Sequence, residues 1–151
     1  CNYRGYIGDL CRMGILGEPD AELEDLLGEI DAIQQAARAQ IAPGKTGRDV
    51  IAAGDEALAR SPNHNATSFV AHGMGLVSHE APRMTDSGPV PYPADDAHAP
   101  LMPGMVTSVE TTMLHPTRGF IKLEDTVIVT DDGNEGLGDT ARGWTRAGTA
   151  A

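Results

Sequence analysis

Apolar residues recur at helical spacing in the first third of the chain and alternate with polar ones near its end, and these two periods predict most of its elements. Leu23, Leu26, Leu27, Ile30, Ile33 and Ala37 form one apolar stripe of a helix. Pro19-Asp20 opens it, Glu22, Glu24 and Asp25 lie where the helix dipole favours acids, and Pro43-Gly44 stops it. Val50, Ile51, Ala53, Ala57 and Leu58 predict a second helix from about Gly47 to Arg60. Ahead of both, residues 3–15 are β-formers interrupted by glycines, which predicts one bent strand. Thr67–Ala71 reads as a strand leading into His72-Gly73-Met74-Gly75-Leu76-Val77-Ser78-His79-Glu80. Two stronger strands are expected at Met105–Met113 and Phe120–Thr130. The order of elements implies an α+β fold, a mostly antiparallel sheet with flanking helices, in one domain or a piece of one over residues 1–151.

The last two strands bear the most chemistry. Alternation puts Val106, Ser108, Glu110 and Thr112 on one face of the first. Phe120, Lys122, Glu124, Thr126 and Ile128 share a face of the second, and Ile121, Leu123, Val127 and Val129 share the other. A connection centred on Thr117 sets Glu110 directly opposite Glu124. Facing carboxylates at cross-strand distance repel, and solvent, a shared proton or a cation would each relieve them. Between Pro82 and Pro103 the chain reads as a long loop holding six of the ten prolines, and loops of that length are usually functional.

Composition narrows the partners. The formal net charge is −11, from 22 acids against 11 bases, which argues against nucleic acid or an anionic membrane as partner. A hydrophobic content of 40% is enough for a packed core. No stretch approaches the ~20 apolar residues of a membrane span, and no secretion signal is visible. Cys1 and Cys11 are too few for a disulfide framework or a thiolate zinc site, so a cytoplasmic setting is expected.

His72 and His79, seven apart across glycines that let the backbone pass close to a ligand, bear on the choice for the glutamates. Imidazole with several carboxylates suits Mn, Fe, Co or Zn. Asp9 is a further candidate ligand, or a turn aspartate. Other motifs fail. His79-Glu80 lacks the second histidine of a helical zinc protease, Gly44-Lys45-Thr46 lacks the first glycine of a phosphate loop, and no Gly-x-Ser-x-Gly elbow exists.

Four segments together, covering nearly the whole chain, resemble the pita-bread family that includes methionine aminopeptidase, Xaa-Pro aminopeptidase, prolidase and creatinase. They are Gly5-Tyr6-Ile7-Gly8-Asp9 with Arg12, His72-Gly73-Met74-Gly75-Leu76 through His79-Glu80-Ala81-Pro82, Pro103-Gly104-Met105-Val106 leading to Glu110, and Leu123-Glu124-Asp125-Thr126-Val127-Ile128-Val129-Thr130 with Gly133. The resemblance implies the C-terminal portion of that fold and a partial catalytic domain. It makes Asp9 and Glu124 carboxylates that bridge two divalent metal ions, Mn foremost and Co, Zn or Fe as alternatives. His72 and Glu110 become ligands of one ion, and Glu110 also the proton shuttle. His79 becomes a non-ligand histidine that contacts substrate and stabilises the tetrahedral intermediate. The family's first aspartate falls upstream of Cys1, so the fragment alone is expected to be inactive. Lys122 stands where the family often has arginine, and Glu110 is followed by Thr111-Thr112 rather than Pro-Gly.

The function implied is a two-metal hydrolase that cleaves Xaa-Pro peptide bonds by attack of a metal-bridging hydroxide. The prolidase and Xaa-Pro aminopeptidase branch resembles this chain more than methionine aminopeptidase does, and the parent is expected to be a homodimer acting on a peptide or small-molecule substrate. A creatinase-like non-peptidase hydrolase or lyase is the alternative, and a metal-free binding module the third reading.

Overall fold

The computed structural model describes residues 1–87 and 92–148. Residues 88–91, inside the proline-rich loop expected at 82–103, lie outside the described residues. The elements run β1 (Asn2–Tyr3), β2 (Tyr6–Ile7), β3 (Gly14–Leu16), α1 (Ala21–Arg38), α2 (Gly47–Ala59), a 3-10 turn (His64–Ala66), β4 (Thr67–Gly73), β5 (Val106–His115), β6 (Gly119–Val129), β7 (Asn134–Leu137) and β8 (Thr145–Ala147). β4, β5, β6 and β7 form one antiparallel sheet in that order.

The helices begin where the sequence predicts, and side-chain caps fix both starts. Asp20 caps α1 by accepting from the Leu23 N–H at 3.0 Å, and Thr46 and Asp49 form a reciprocal capping box on α2. α1 ends at Arg38 rather than running on to Pro43. The Asn134 side-chain amide donates to the carbonyls of Arg38 and Ile41, giving an acceptor of the last turn a partner from β7.

Both helices lie on one face of the sheet. Leu26, Leu27 and Ile30 pack against Met113, Ile121, Leu123 and Trp144, while Ile33, Ala37 and Val50 pack against Phe69, Ala71, Val109, Val127 and Val129. Trp144 is fixed by its Nε1–H donating to the Leu23 carbonyl at 3.0 Å. Gln34, fully buried, donates to the Val109 carbonyl at 2.8 Å, so this polar side chain of α1 is satisfied.

One charged residue breaks the apolar layer. Asp125 sits on the helix-facing side of β6 at 2% exposure. Arg142 pairs with its Oδ2, Arg38 approaches the same atom at 3.6 Å, and Arg12 Nη2 lies 2.6 Å from Oδ1 in a charge contact outside hydrogen-bond alignment. A buried carboxylate needs such counter-charge.

The segment 3–15 departs from the expected single bent strand. Arg4 and Gly5, at φ 54° and 93°, turn the chain between β1 and β2, which pair as a short hairpin. The chain then makes one bridge, Cys11 to Glu124, before β3 pairs in parallel with β8. Gly5 therefore ends a strand rather than bending one. β7 and β8 are additions to the strands expected from alternation. Among the described residues, no helix is long and apolar enough to cross a membrane.

Candidate functional site

The β5–β6 register sets Glu110 opposite Glu124, and on the other side Val70 of β4 opposite Glu110. Both the N–H and the C=O of Glu124 bond to Cys11, at 3.2 and 3.1 Å. Glu110 and Glu124 are therefore a non-hydrogen-bonded pair, the closer kind, with Cα atoms typically about 4.5 Å apart. Lys122 resolves the repulsion: its ammonium contacts Glu110 and lies 3.0 Å from Glu124 Oε2. The pairing holds the Lys122 ammonium well above its usual range, against the opposing effect of burial.

His72 faces the same side from β4, opposite Ser108. It is fully buried, with Nδ1 3.2 Å from the Gly73 carbonyl. An Nδ1–H donating there leaves the Nε2 lone pair free to point into the site. Nε2 is 3.9 Å from Glu124 Oε1 and has no hydrogen-bond partner among the described residues. Burial pulls the imidazole's pKa down, but its interactions with Glu124 and Gly73 outweigh this and hold it above the ordinary value. For Glu124, burial pushes upward, and the nearby His72 ring, the Lys122 ammonium and the Ser108 hydroxyl win, leaving the carboxyl low. Ser108 Oγ donates to Glu124 Oε1 at 2.9 Å.

Asp9 arrives from outside the sheet. Its backbone N–H donates to Thr126 Oγ1 at 2.8 Å, and that hydroxyl donates back to the Asp9 carbonyl at 2.7 Å. Two residues on, the Cys11–Glu124 bridge extends the edge of β6 beyond the residues paired with β7. Asp9, His72 and Glu124 thereby converge, each offering a ligand atom within 4.8 Å of the others. Glu110 stands beside this cluster and outside it, its carboxylate held by Lys122.

His79 stacks on His72 with ring centroids 3.8 Å apart and planes 16° from parallel. Tyr92 meets its ring edge-on at 6.4 Å. Burial, then the neighbouring His72, lowers the His79 pKa, which favours a neutral ring at neutral pH. The turn carrying His79 folds back on β4 through Gly73, whose N–H donates to the Pro82 carbonyl and whose C=O accepts from Glu80. A Cβ on Gly73 would overlap the Ala81–Pro82 peptide, so only glycine permits this close approach. Beside Glu110, the recess lined by Ser68, Val70, Thr112, Phe120 and Lys122 holds about 260 Å³.

The donor set fits a hard or borderline divalent cation. Two carboxylates and an imidazole converge, and the buried Nε2 of His72 lacks a partner while Nδ1 is committed to a backbone carbonyl, the usual second contact of a ligating histidine. Ser108, Thr126 and the arginines around Asp125 carry no periodicity of their own that marks them as site residues. Ser108 and Thr126 share the glutamates' faces in the alternation, and an acid on the apolar face of a strand signals that Asp125 requires cations.

The sequence profile of Metallopeptidase family M24 matches residues 1–131. The chain is 36% identical to "Probable dipeptidase PepE" of Mycobacterium tuberculosis over 132 residues, 85% of this chain and 32% of that protein. It is 26% identical over 145 residues to an Xaa-Pro dipeptidase of Pyrococcus horikoshii, covering 93% of this chain and 38% of that one. In structure it superposes on the Xaa-Pro dipeptidase from Bacillus anthracis with a TM-score of 0.76 at 28% identity, over 96% of this chain and 39% of that chain. The chain spans about a third of the length of the curated relatives it matches. Its helices over a mostly antiparallel sheet are a portion of the pita-bread fold.

Proposed function

The chain belongs to Metallopeptidase family M24, and from that premise we propose that it supplies the metal site of a dinuclear hydrolase that cleaves Xaa-Pro peptide bonds. The convergence of Asp9, His72 and Glu124 on a common point, with His72 Nε2 buried and unpartnered, is the observation that carries the reading. Similarity to Xaa-Pro dipeptidases supports the choice of bond.

Asp9, His72 and Glu124 would hold divalent ions, manganese foremost, with Glu110 joining them from the facing strand. Such ions polarise a carbonyl and acidify a water nucleophile. Glu110, beside the cluster at 8% exposure, takes the proton from the attacking water and returns it to the leaving amine. His79, a neutral ring fixed by stacking on His72, donates a hydrogen bond to the carbonyl oxygen as negative charge develops on it. Ser108 and Thr126 orient Glu124 and Asp9 rather than touching substrate. Lys122 holds the two glutamates together against their repulsion.

Metal content and Mn²⁺-dependent hydrolysis of an Xaa-Pro dipeptide, measured on the full-length protein, test this. Two ions per chain with proline-dependent cleavage are expected. Bound metal without peptide cleavage would instead indicate a creatinase-like hydrolase or lyase, and no metal at all a binding module. The Glu110→Ala variant should lose turnover and keep its fold; retained activity removes Glu110 from the mechanism.

A further inference from the structure

We infer that Arg12 is the residue that sets Asp9 against Glu124, a positioning residue for the site proposed above, on whose metal-binding reading the inference rests. Asp9 lies outside the β4–β7 ladder, so something other than strand register must fix its carboxylate relative to β6. One end of its segment is clamped by the Thr126 hydroxyl. The other end is joined to Glu124 by the Cys11 backbone bridge, and one guanidinium braces that bridge. Arg12 Nη1 donates to the carbonyls of Cys11 and Glu124, both at 2.9 Å, and so lies across the bridge that joins the two segments. Nε donates to the Thr140 carbonyl at 2.8 Å and Nη2 to that of Gly138 at 3.2 Å, tying in the chain that follows β7. Four carbonyls from three stretches of chain thus converge on one rigid fork.

Charge neutralisation does not account for this arrangement. Arg12 Nη2 lies 2.6 Å from Asp125 Oδ1, but Asp125 is also paired with Arg142 and approached by Arg38, neither of which contacts the backbone of Cys11 or Glu124. Removing Arg12 leaves the buried carboxylate with cations and the Cys11–Glu124 backbone bridge in place; it takes away the side-chain brace that sets the bridge's geometry. A lysine at this position would preserve the charge and lose the fork, because one ammonium cannot span four carbonyls fixed in different directions.

The test measures Mn²⁺ affinity by calorimetry, and metal-free thermal unfolding, for the full-length wild type, Arg12→Lys and Arg142→Gln. Arg12→Lys is expected to weaken Mn²⁺ binding about 10-fold or more, the usual cost of losing a group that orients a ligand, while melting close to the wild type. Arg142→Gln, which strips a guanidinium from the same Asp125, is expected to melt lower and to bind Mn²⁺ as the wild type does. Equal affinity in wild type and Arg12→Lys overturns the inference alone, as does an equal loss of affinity in Arg142→Gln. A wild type that binds no Mn²⁺ overturns the metal-site reading and this inference with it.

Discussion

Glu124 and Asp125 are neighbours on β6, both buried carboxylates, and they point to opposite faces of the sheet. Asp125 faces the helices and meets guanidinium groups carried on three separate parts of the chain. Glu124 faces away and meets one lysine, one serine hydroxyl, an imidazole at 3.9 Å and another carboxylate nearby. The first environment is closed, with its counter-charge built in and rigid. The second is acid-rich around a buried nitrogen that lacks a partner, and it can take up a further cation. Burial of charge alone does not mark a site; converging ligand atoms short of counter-charge do.

The largest expected effect falls on the closed side. Asp125→Ala leaves Arg12, Arg38 and Arg142 without the acid they share at the sheet's core face, and breaking a buried ion pair from one side costs about 3–5 kcal/mol. Urea unfolding should show that loss without any dependence on metal. A loss below about 1 kcal/mol would mean that solvent and two outer acids, Asp31 paired with Arg142 and Asp139 at 2.7 Å from Arg38, satisfy the arginines, and that the two faces differ less than their geometry implies.

On the open side the effect should be conditional. Mn²⁺ at about 100 times its Kd stabilises a protein that binds it only when folded by about 2.7 kcal/mol. Glu124→Gln keeps the shape of the side chain and removes its charge, so most of that increment should vanish, and the metal-free protein should also lose some stability with the Lys122 contact. Thermal unfolding with and without Mn²⁺ separates the two. A full metal-induced shift in Glu124→Gln would remove Glu124 from the ligand set.

The difference between these faces was only half legible in the sequence. Period-two alternation over 105–130 was enough to pair Glu110 with Glu124, because the hairpin is symmetric about Thr117 and one register fits it. Helical stripes located α1 and α2, and Asp20 and Thr46 capped them by local chemistry. The partners of Asp125 were hidden, since Arg12, Arg38 and Arg142 are scattered along the chain and no periodicity connects them. The placement of Asp9 was equally non-local: a hydroxyl 117 residues away holds its backbone. β7 and β8, four and three residues long, carry too few alternations to stand out. The family resemblance, drawn from short motifs, placed Asp9 and His72 in one site where pattern alone left both open.

A third carboxylate offers an intermediate case and the smallest effect. Glu29 on α1 is half-buried and has no cation in contact among the described residues; it accepts from Asn63 N at 2.9 Å, from Asn63 Nδ2 at 2.7 Å and from the Ser61 hydroxyl. Burial pushes its pKa up, but the hydrogen bonds from Ser61 and Asn63 win and hold it below the ordinary glutamate value. A folded pKa below the unfolded one means that the ionised form stabilises the fold. That contribution is complete above the unfolded pKa, about 4.3, and is lost as pH falls through the lower folded value. Glu29→Gln should therefore cost about 1 kcal/mol at pH 7, on the scale of one or two neutral hydrogen bonds, and the gap to the wild type should close as the pH drops below 4. Unfolding curves at pH 7 and pH 3.5 measure it. A gap that persists unchanged at pH 3.5 would show that the Ser61–Asn63 turn requires two acceptor oxygens rather than the charge of the side chain. A carboxylate satisfied by neutral donors would then behave like neither of its counterparts on β6.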